Sequence, residues 1–380
     1  MTPRNLPLFA LAPAFVFSVL ALPASAMETK GFVVSWFHTA GYADKDSCPK
    51  GINPDNIQIW ARSLGELGFS PSEAEKVIAG DGREWRKLMQ MRGKKDGKPA
   101  NVYLYPLSVP DPQLKPVEGK KAFGFNLDGK NGPKSFQDPD THLAGVDNEV
   151  FRALGCSKMY HVNLPDRPYY EMTRWDIGSD SMPAWVITVA GEDLSKDGDV
   201  TVTLTRSLRY AYRDAQSKPL ADATYVMEPT ERSRNVLKGH SKDGVITIEP
   251  QDIRIQAEAG IIPEYKFKNA QLRFTIDAKG NLNGYLGGYI AWQSYYWLIA
   301  SHGSSSEESS LDVPGAYYAL RKHADADPDP ATGQNTQISS TFRIEAVPAR
   351  VLPPQAPYAQ GAQKVSSLTP QPAKSAVDRD

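Results

Sequence analysis

Short acidic and amide side chains that could bind a cation occur together near residue 140. Asp138 and Asp140 precede the adjacent pair Asp147 and Asn148. Calcium takes about six to eight oxygen ligands, and Asp and Asn side chains on tight turns can supply them. These four residues are therefore the candidate calcium ligands. The alternative is structural, because a side chain at residue 147 can cap a short helix over residues 148–154.

A second acidic run, Asp325, Asp327 and Asp329, alternates with Ala and Pro in a predicted loop. An EF-hand loop needs Gly at its sixth position and a closing Glu at its twelfth. Here those positions hold Pro330 and Thr336. The run is not an EF-hand, and a solvated loop is the alternative to a cation site.

Aromatic side chains are concentrated just after residue 290. Trp292, Tyr295, Tyr296 and Trp297 are candidate ligand-binding residues, because such rings stack on sugar faces and on hydrophobic ligands. The first three occupy positions i, i+3 and i+4, a spacing that is also typical of the buried face of a helix. Packing in the core is therefore the alternative, and the one that such a stripe favours.

The chain has two cysteines, Cys48 and Cys156. In an oxidising compartment an even number favours a disulfide, and two buried thiols are the alternative. Two cysteines are too few for a four-thiolate zinc site or an iron–sulfur cluster. The sequence also lacks haem-attachment, flavin, nucleotide and zinc motifs and a GxSxG nucleophile turn. Paired carboxylates for glycoside hydrolysis remain open, since the separation that they need is spatial.

Residues 1–26 have the features of a secretory signal peptide. Arg4 precedes an apolar stretch over residues 6–22, and Ala24-Ser25-Ala26 fits the cleavage pattern. A membrane anchor is the alternative, but the stretch is short and interrupted by prolines. We expect a periplasmic or secreted protein without an integral membrane span after cleavage. The net charge of −1 gives no reason to expect a nucleic-acid partner.

The hydrophobic pattern predicts a mainly β protein. Apolar residues alternate with polar ones over residues 200–205, which is typical of a sheet with one wet face. Strands are also predicted over residues 101–105 and 122–127, and over residues 338–346, where Ile338, Phe342 and Ile344 alternate with polar residues. Many such segments with short turns favour a β-sandwich or jelly roll. The predicted regions are a mainly helical module over residues 27–100, a β-sandwich domain over 101–349 with a helical insert at 289–323, and a disordered Pro-rich tail over 350–380.

Some local features within these regions are predicted as well. Ser70 and Glu73 form a capping box at the start of one helix, and Asp312 caps another. Residues 94–98 are predicted as a polar turn and residues 301–310 as a flexible loop.

Two blocks carry a resemblance. FNLDGK at residues 125–130 and GVDNEVFRALGC at residues 145–156 resemble a group of exported bacterial proteins of unknown function. Residues 281–289 and 342–348 are also similar to that group. The resemblance implies an extracytoplasmic β-rich protein and brings no activity with it.

Two functions follow as hypotheses. The first is an exported, non-enzymatic β-sandwich protein that binds or organises a cell-envelope partner or ligand, such as an envelope protein or a glycan, with calcium as a stabilising ion. The alternative is an extracytoplasmic, carbohydrate-active hydrolase that uses paired carboxylates. An open cleft with two nearby carboxyl groups and exposed aromatic rings would favour the hydrolase, and buried aromatic rings would favour the binding protein.

Overall fold

The computed structural model describes residues 27–42, 45–80, 83–164, 167–168, 183–216, 218–259 and 262–354. The predicted signal peptide and residues 355–380 of the predicted tail lie outside the described residues. Within the described part, no helix is both long enough and apolar enough to cross a membrane.

The chain forms strands and helices with the following bounds. The strands are β1 (Glu28–Thr39), β2 (Gly93–Lys95), β3 (Lys98–Ala100), β4 (Phe136–Gln137), β5 (Ala144–Val146), β6 (Val162–Leu164), β7 (Arg167–Pro168), β8 (Trp185–Gly191), β9 (Gly198–Arg206), β10 (Thr224–Val226), β11 (Asn235–Lys242), β12 (Val245–Ile248), β13 (Gln251–Ala259), β14 (Ile262–Ile276), β15 (Leu282–Ala291), β16 (Ala326–Pro328), β17 (Asn335–Pro348) and β18 (Arg350–Leu352). The α-helices are α1 (Asn56–Glu66), α2 (Pro71–Ala79), α3 (Arg83–Gln90), α4 (Glu149–Leu154), α5 (Trp292–Ser301), α6 (Gly303–Glu308) and α7 (Val313–His323).

Eight of these strands form one closed antiparallel barrel in the order β1-β8-β9-β11-β12-β14-β15-β17. The barrel closes because β17 pairs with β15 on one side and with β1 on the other. The prediction of a mainly β fold is confirmed. The sheet, however, is closed on itself, where the sequence predicted the two packed layers of a sandwich or jelly roll. The two architectures share the same alternation of inward and outward residues, and closure depends on a contact between the first and last barrel strands.

The barrel interior is filled with apolar side chains. In β9, Val200, Val202 and Leu204 are buried in this core, as their alternation predicts. The prediction of a wet opposite face is wrong at Thr203 and Thr205, which are also buried. On the paired strands β1 and β17, the rings of Phe37 and Phe342 stack at a centroid distance of 4.6 Å within this core. The described part of the interior is therefore a packed core of apolar side chains.

Helix α5 continues directly from β15 and covers one end of the barrel. The hydroxyl of Tyr295 lies 2.8 Å from Oγ1 of Thr39 at the end of β1 and 3.2 Å from the hydroxyl of Tyr160. Asp312 caps α7, since its carboxylate accepts a hydrogen bond from the amide of Gly315. All three helices α5, α6 and α7 lie within residues 289–323. Residues 301–310, predicted as a loop, contain α6, whose Ser306 and Glu307 are buried.

The region over residues 27–100 is divided between the barrel and a helical cluster. Its first segment is the barrel strand β1, so the predicted boundary at residue 100 does not separate a helical module from the barrel. Helices α1 to α3 share a small core of their own that includes Trp60 and Trp85. The predicted capping box of Ser70 and Glu73 opens α2. The strands predicted at residues 101–105 and 122–127 are wrong, since these residues form turns and irregular backbone.

Residues 117–156 wrap the outer face of β14, β15 and β17. The ring of Phe125 lies on Gly287, where an added Cβ would come within 2.3 Å of the ring. The guanidinium of Arg273 lies over the ring of Phe125 and pairs with the buried carboxylate of Asp138 at 2.6 Å.

The predicted disulfide Cys48–Cys156 is present, with a Cα–Cα distance of 5.8 Å. At the other terminus, β18 pairs with β10, so ordered structure extends into the region predicted as a tail.

Candidate ligand-binding site

Two cavities share Trp297 as a lining residue, and we call them together the Trp297 cleft. The first, of about 510 Å³, lies between the β2–β3 hairpin with the residues that follow it and helix α5. The second, of about 500 Å³, lies between the first half of β14 and the same helix. Trp297 lines both cavities and is partly exposed. Each volume falls in the range typical of small-ligand pockets, about 300–1,000 Å³.

The walls of the first cavity are mainly apolar. Helix α5 contributes Trp292 and Tyr296, and residues 104–107 contribute Leu104, Tyr105 and Leu107. The ammonium groups of two lysines, Lys94 and Lys95, add positive charge to this wall. Lys95 is held in place by the ring of Tyr105, whose centroid is 4.0 Å from its Nζ atom.

Side-chain contacts hold this aromatic wall in one arrangement. The ring of Tyr317, on α7, meets Trp292 edge-on at 5.2 Å and Tyr296 at 5.1 Å. The hydroxyl of Tyr296 donates a hydrogen bond of 2.6 Å to the carbonyl oxygen of Tyr103. This bond ties α5 to the segment that forms the opposite wall. The cavity is therefore built before any ligand arrives.

The second cavity has a more polar lining. Glu264 is flanked by Arg232, whose Nη2 lies 2.9 Å from Oε1, and by Lys266, whose Nζ lies 3.2 Å from the same oxygen. The ammonium of Lys268 pairs with Asp327 at 2.7 Å. Basic groups on this side thus already have carboxylate partners within the protein.

The four aromatic residues that the sequence singled out have different surroundings. Trp292, Tyr295 and Tyr296 are buried, and Trp297 is the one that solvent reaches. Burial raises the pKa of the Tyr295 hydroxyl to about 12, although its hydrogen bonds to Thr39 and Tyr160 act in the opposite direction. Three of the four therefore belong to the core and line one cavity each, while Trp297 can stack on a ligand.

Three of the four candidate calcium ligands, Asp138, Asp147 and Asn148, have hydrogen-bond partners within the protein. The carboxylate of Asp138 accepts hydrogen bonds from the amides of Asp140 and Thr141 and binds Arg273. Asn148, and not Asp147, caps α4, and its amide group donates to two backbone carbonyls. Among the described residues, no group of three or more His, Cys, Asp or Glu side chains has an arrangement that could hold a metal ion.

Asp147 belongs to a second acidic group on the outer face of the barrel. Its carboxylate accepts hydrogen bonds from the amides of Leu127 and Asp128 at 2.8 and 3.3 Å. Burial raises its pKa to about 6, and the carboxylates of Asp128 and Glu149 add to this effect. These contacts join the segments 125–130 and 145–156, since the first supplies the amides that bind Asp147 of the second.

Asp325 lies near the same group. Loss of hydration of its carboxyl group raises its pKa to about 7, and the charges of Glu149 and Asp147 add to the shift. Its Oδ1 accepts a hydrogen bond of 2.8 Å from the amide of Ser339. More than a third of the residue is open to solvent, so water screens part of this effect.

Sequence reasoning missed the wall opposite α5. Residues 94–98 were interpreted as a polar turn and residues 101–105 as a strand, so the lysines and leucines of this wall were not candidates. One signal was present in the sequence, namely two adjacent lysines followed by the apolar pair at Leu104 and Leu107. These residues become candidates for a binding site only because the fold places them in the same cavity as Trp297.

Comparison with known proteins adds no relative, since no protein-family model, curated protein or solved structure matches the chain.

Proposed function

We propose that this protein is an exported, non-enzymatic binding protein whose ligand occupies the Trp297 cleft. The observation that carries the proposal is that two cavities of about 500 Å³ are both lined by one partly exposed indole, that of Trp297. The ring contacts of Trp292 and Tyr296 with Tyr317 and the Tyr296–Tyr103 hydrogen bond hold the walls of the first cavity in place. Pockets of this size with mainly apolar walls are the usual sites for small ligands.

Export remains part of the proposal and rests on residues 1–26. The disulfide Cys48–Cys156 supports it, because such bonds persist in oxidising compartments. Expression of the full chain in a bacterium, followed by amino-terminal sequencing of the periplasmic fraction, should give a mature protein that begins at Met27. A cytoplasmic protein that keeps Arg4 would contradict export.

Binding can be tested with anilinonaphthalene sulfonate, a probe that combines aromatic rings with an anionic group. We expect its fluorescence to rise on binding and the tryptophan fluorescence of the protein to fall. Trp297→Ala should weaken binding roughly tenfold or more, since burying a large apolar side chain contributes about 1.5–3 kcal/mol.

The matched control is Tyr212→Ala, which removes another exposed aromatic side chain away from the cleft. It should leave the Kd unchanged. Melting curves should show that Trp297→Ala and Tyr212→Ala are folded. If the folded Trp297→Ala variant binds the probe as tightly as the wild type does, the ligand site is not at the cleft.

One observation favours the hydrolase alternative. Asp147 and Asp325 lie near Tyr289, whose pKa is raised by burial and then by these two carboxylates, and general acids need a raised carboxyl pKa. Hydrolysis of a chromogenic glycoside that disappears in both Asp147→Asn and Asp325→Asn would establish the enzyme and remove the non-enzymatic proposal. Absence of turnover across a glycoside panel would leave the binding protein in place.

Calcium binding near Asp147 stays a prediction. If calcium stabilises the protein, the melting temperature should rise with added calcium and fall with a chelator. Identical melting curves under the two conditions would reject it.

A further inference from the structure

We propose that the first cavity of the Trp297 cleft takes a single-chain anionic amphipath, with the acidic head group at Lys94 and Lys95 and the apolar chain along Trp297 and Leu107. The proposal rests on the function proposed above and adds the chemical class of the ligand. Charge, exposed apolar surface and volume support it independently of one another.

The charge of the first cavity has a single sign. Among the described residues that line it, Lys94 and Lys95 are the charged ones, and no carboxylate lines it with them. The basic residues of the second cavity, by contrast, contact Glu264 and Asp327. An anionic head group would therefore meet two ammonium groups in the first cavity and would have to displace a carboxylate in the second.

The apolar rim of the first cavity is exposed to an unusual degree. Leu104 is 54% exposed, Tyr105 44% and Leu107 61%, and all three line the same cavity. Exposed apolar side chains that lie together mark a binding surface, whereas single ones are ordinary. An alkyl chain placed between this rim and the indole of Trp297 would remove apolar surface from water on both sides.

The volume sets how the affinity should depend on chain length. A cavity of about 510 Å³ has room for a medium-length alkyl chain. Each methylene that enters an apolar site should tighten binding about fourfold. The gain should stop once the cavity is full, so affinity should rise along a series of carboxylates and then level off.

Charge selectivity can be measured by calorimetry with three ligands of equal chain length, namely decanoate, decanol and decyltrimethylammonium. We expect decanoate to bind roughly tenfold more tightly than the cation. The variant Lys94→Gln/Lys95→Gln should lose this preference and keep the binding of decanol. The control Lys238→Gln/Lys242→Gln, which removes two exposed lysines of β11, should keep the preference.

The possible outcomes separate this proposal from the one on which it rests. Equal affinity for the anion and the cation would overturn the ligand class and leave a neutral ligand for the cleft. Failure of all three ligands to bind would count against the cleft itself. Sedimentation of the protein with anionic phosphatidylglycerol vesicles, without binding of monomeric decanoate, would replace the proposal with a membrane surface.

Discussion

Replacing Glu307 by Gln should stabilise the protein at neutral and alkaline pH. Glu307, on α6, is 1% exposed, and its Oε1 lies 3.7 Å from Nη2 of Arg92 without forming a hydrogen bond. Its Oε2 accepts a hydrogen bond of 2.9 Å from the hydroxyl of Tyr103. A second ion pair, Arg62 with Asp312, lies nearby, and its two charges also act on Glu307. Burial raises the pKa of Glu307 to about 7, and the charge of Arg92 opposes this only in part.

The raised pKa fixes the sign and size of the effect. In the unfolded chain Glu307 ionises near its ordinary pKa of 4.5, while the folded protein holds the proton up to about pH 7. Its contribution to stability is therefore complete below pH 4.5 and is lost as the pH rises to 7. At about 1.4 kcal/mol per pH unit, the loss is about 3 kcal/mol. Gln carries no charge at any pH and avoids this loss.

Urea unfolding of the wild type and Glu307→Gln at a series of pH values between 4.5 and 8 measures this contribution. The stability difference between the variant and the wild type should grow by about 3 kcal/mol across that range, in favour of the variant. The control is Glu308→Gln at the next residue, where a surface ion pair with Arg86 is lost. Its stability difference should not change with pH above 6. A difference for Glu307→Gln that is independent of pH would refute the account of this buried charge.

Three further predictions concern the segment that wraps the barrel. Arg273→Ala leaves the carboxylate of Asp138 buried without its guanidinium partner and should cost about 3–5 kcal/mol in urea unfolding, whereas Lys268→Ala, which breaks an exposed pair, should cost less than about 1 kcal/mol. Burial would raise the pKa of Asp138, but the amide of Thr141 and the guanidinium of Arg273 outweigh it and hold this pKa below its usual range. Its stabilising effect should therefore be lost as the pH falls below 4, and the loss should be smaller in Arg273→Ala. Removing the disulfide with Cys48→Ala/Cys156→Ala should cost roughly 4 kcal/mol of stability, because the bond closes a loop of 108 residues. An unchanged unfolding midpoint in that double variant would contradict this prediction. Equal stability costs for Arg273→Ala and Lys268→Ala would contradict the first one.

The strands with a clean period of two could be predicted from the sequence. The alternating residues of β9 and β17 are buried as expected, and the caps at Ser70 and Asp312 lie where the sequence put them. Each of these features depends on residues that are close together in the chain. Closure of the barrel depends on the pairing of β1 with β17, which are about 300 residues apart in the chain, and no local pattern reports it.

The segments that were predicted as strands and proved irregular are held by distant partners. Tyr103 packs on Gly303, where an added Cβ would lie 2.3 Å from its ring, and it also bonds to Glu307. Phe125 packs on Gly287 in the same way. In both cases tertiary contacts override the local alternation of apolar residues.

The candidate site was predictable on one side only. The aromatic run of α5 is visible in the sequence, and its alternative role in the core holds for Trp292, Tyr295 and Tyr296. The opposite wall comes from residues nearly 200 positions earlier, so only the fold shows that Lys95 and Trp297 line one cavity.

Fluorine NMR of protein labelled with fluorotryptophan tests the central claim most directly, because each indole reports separately. The resonance of Trp297 is assigned by its loss in Trp297→Phe, and Trp60, in the core of the N-terminal helices, serves as the internal reference. The account predicts that decanoate shifts the Trp297 resonance until the site is saturated and leaves that of Trp60 unchanged. A Trp297 resonance that stays fixed while decanoate binds would place the ligand elsewhere and contradict the account.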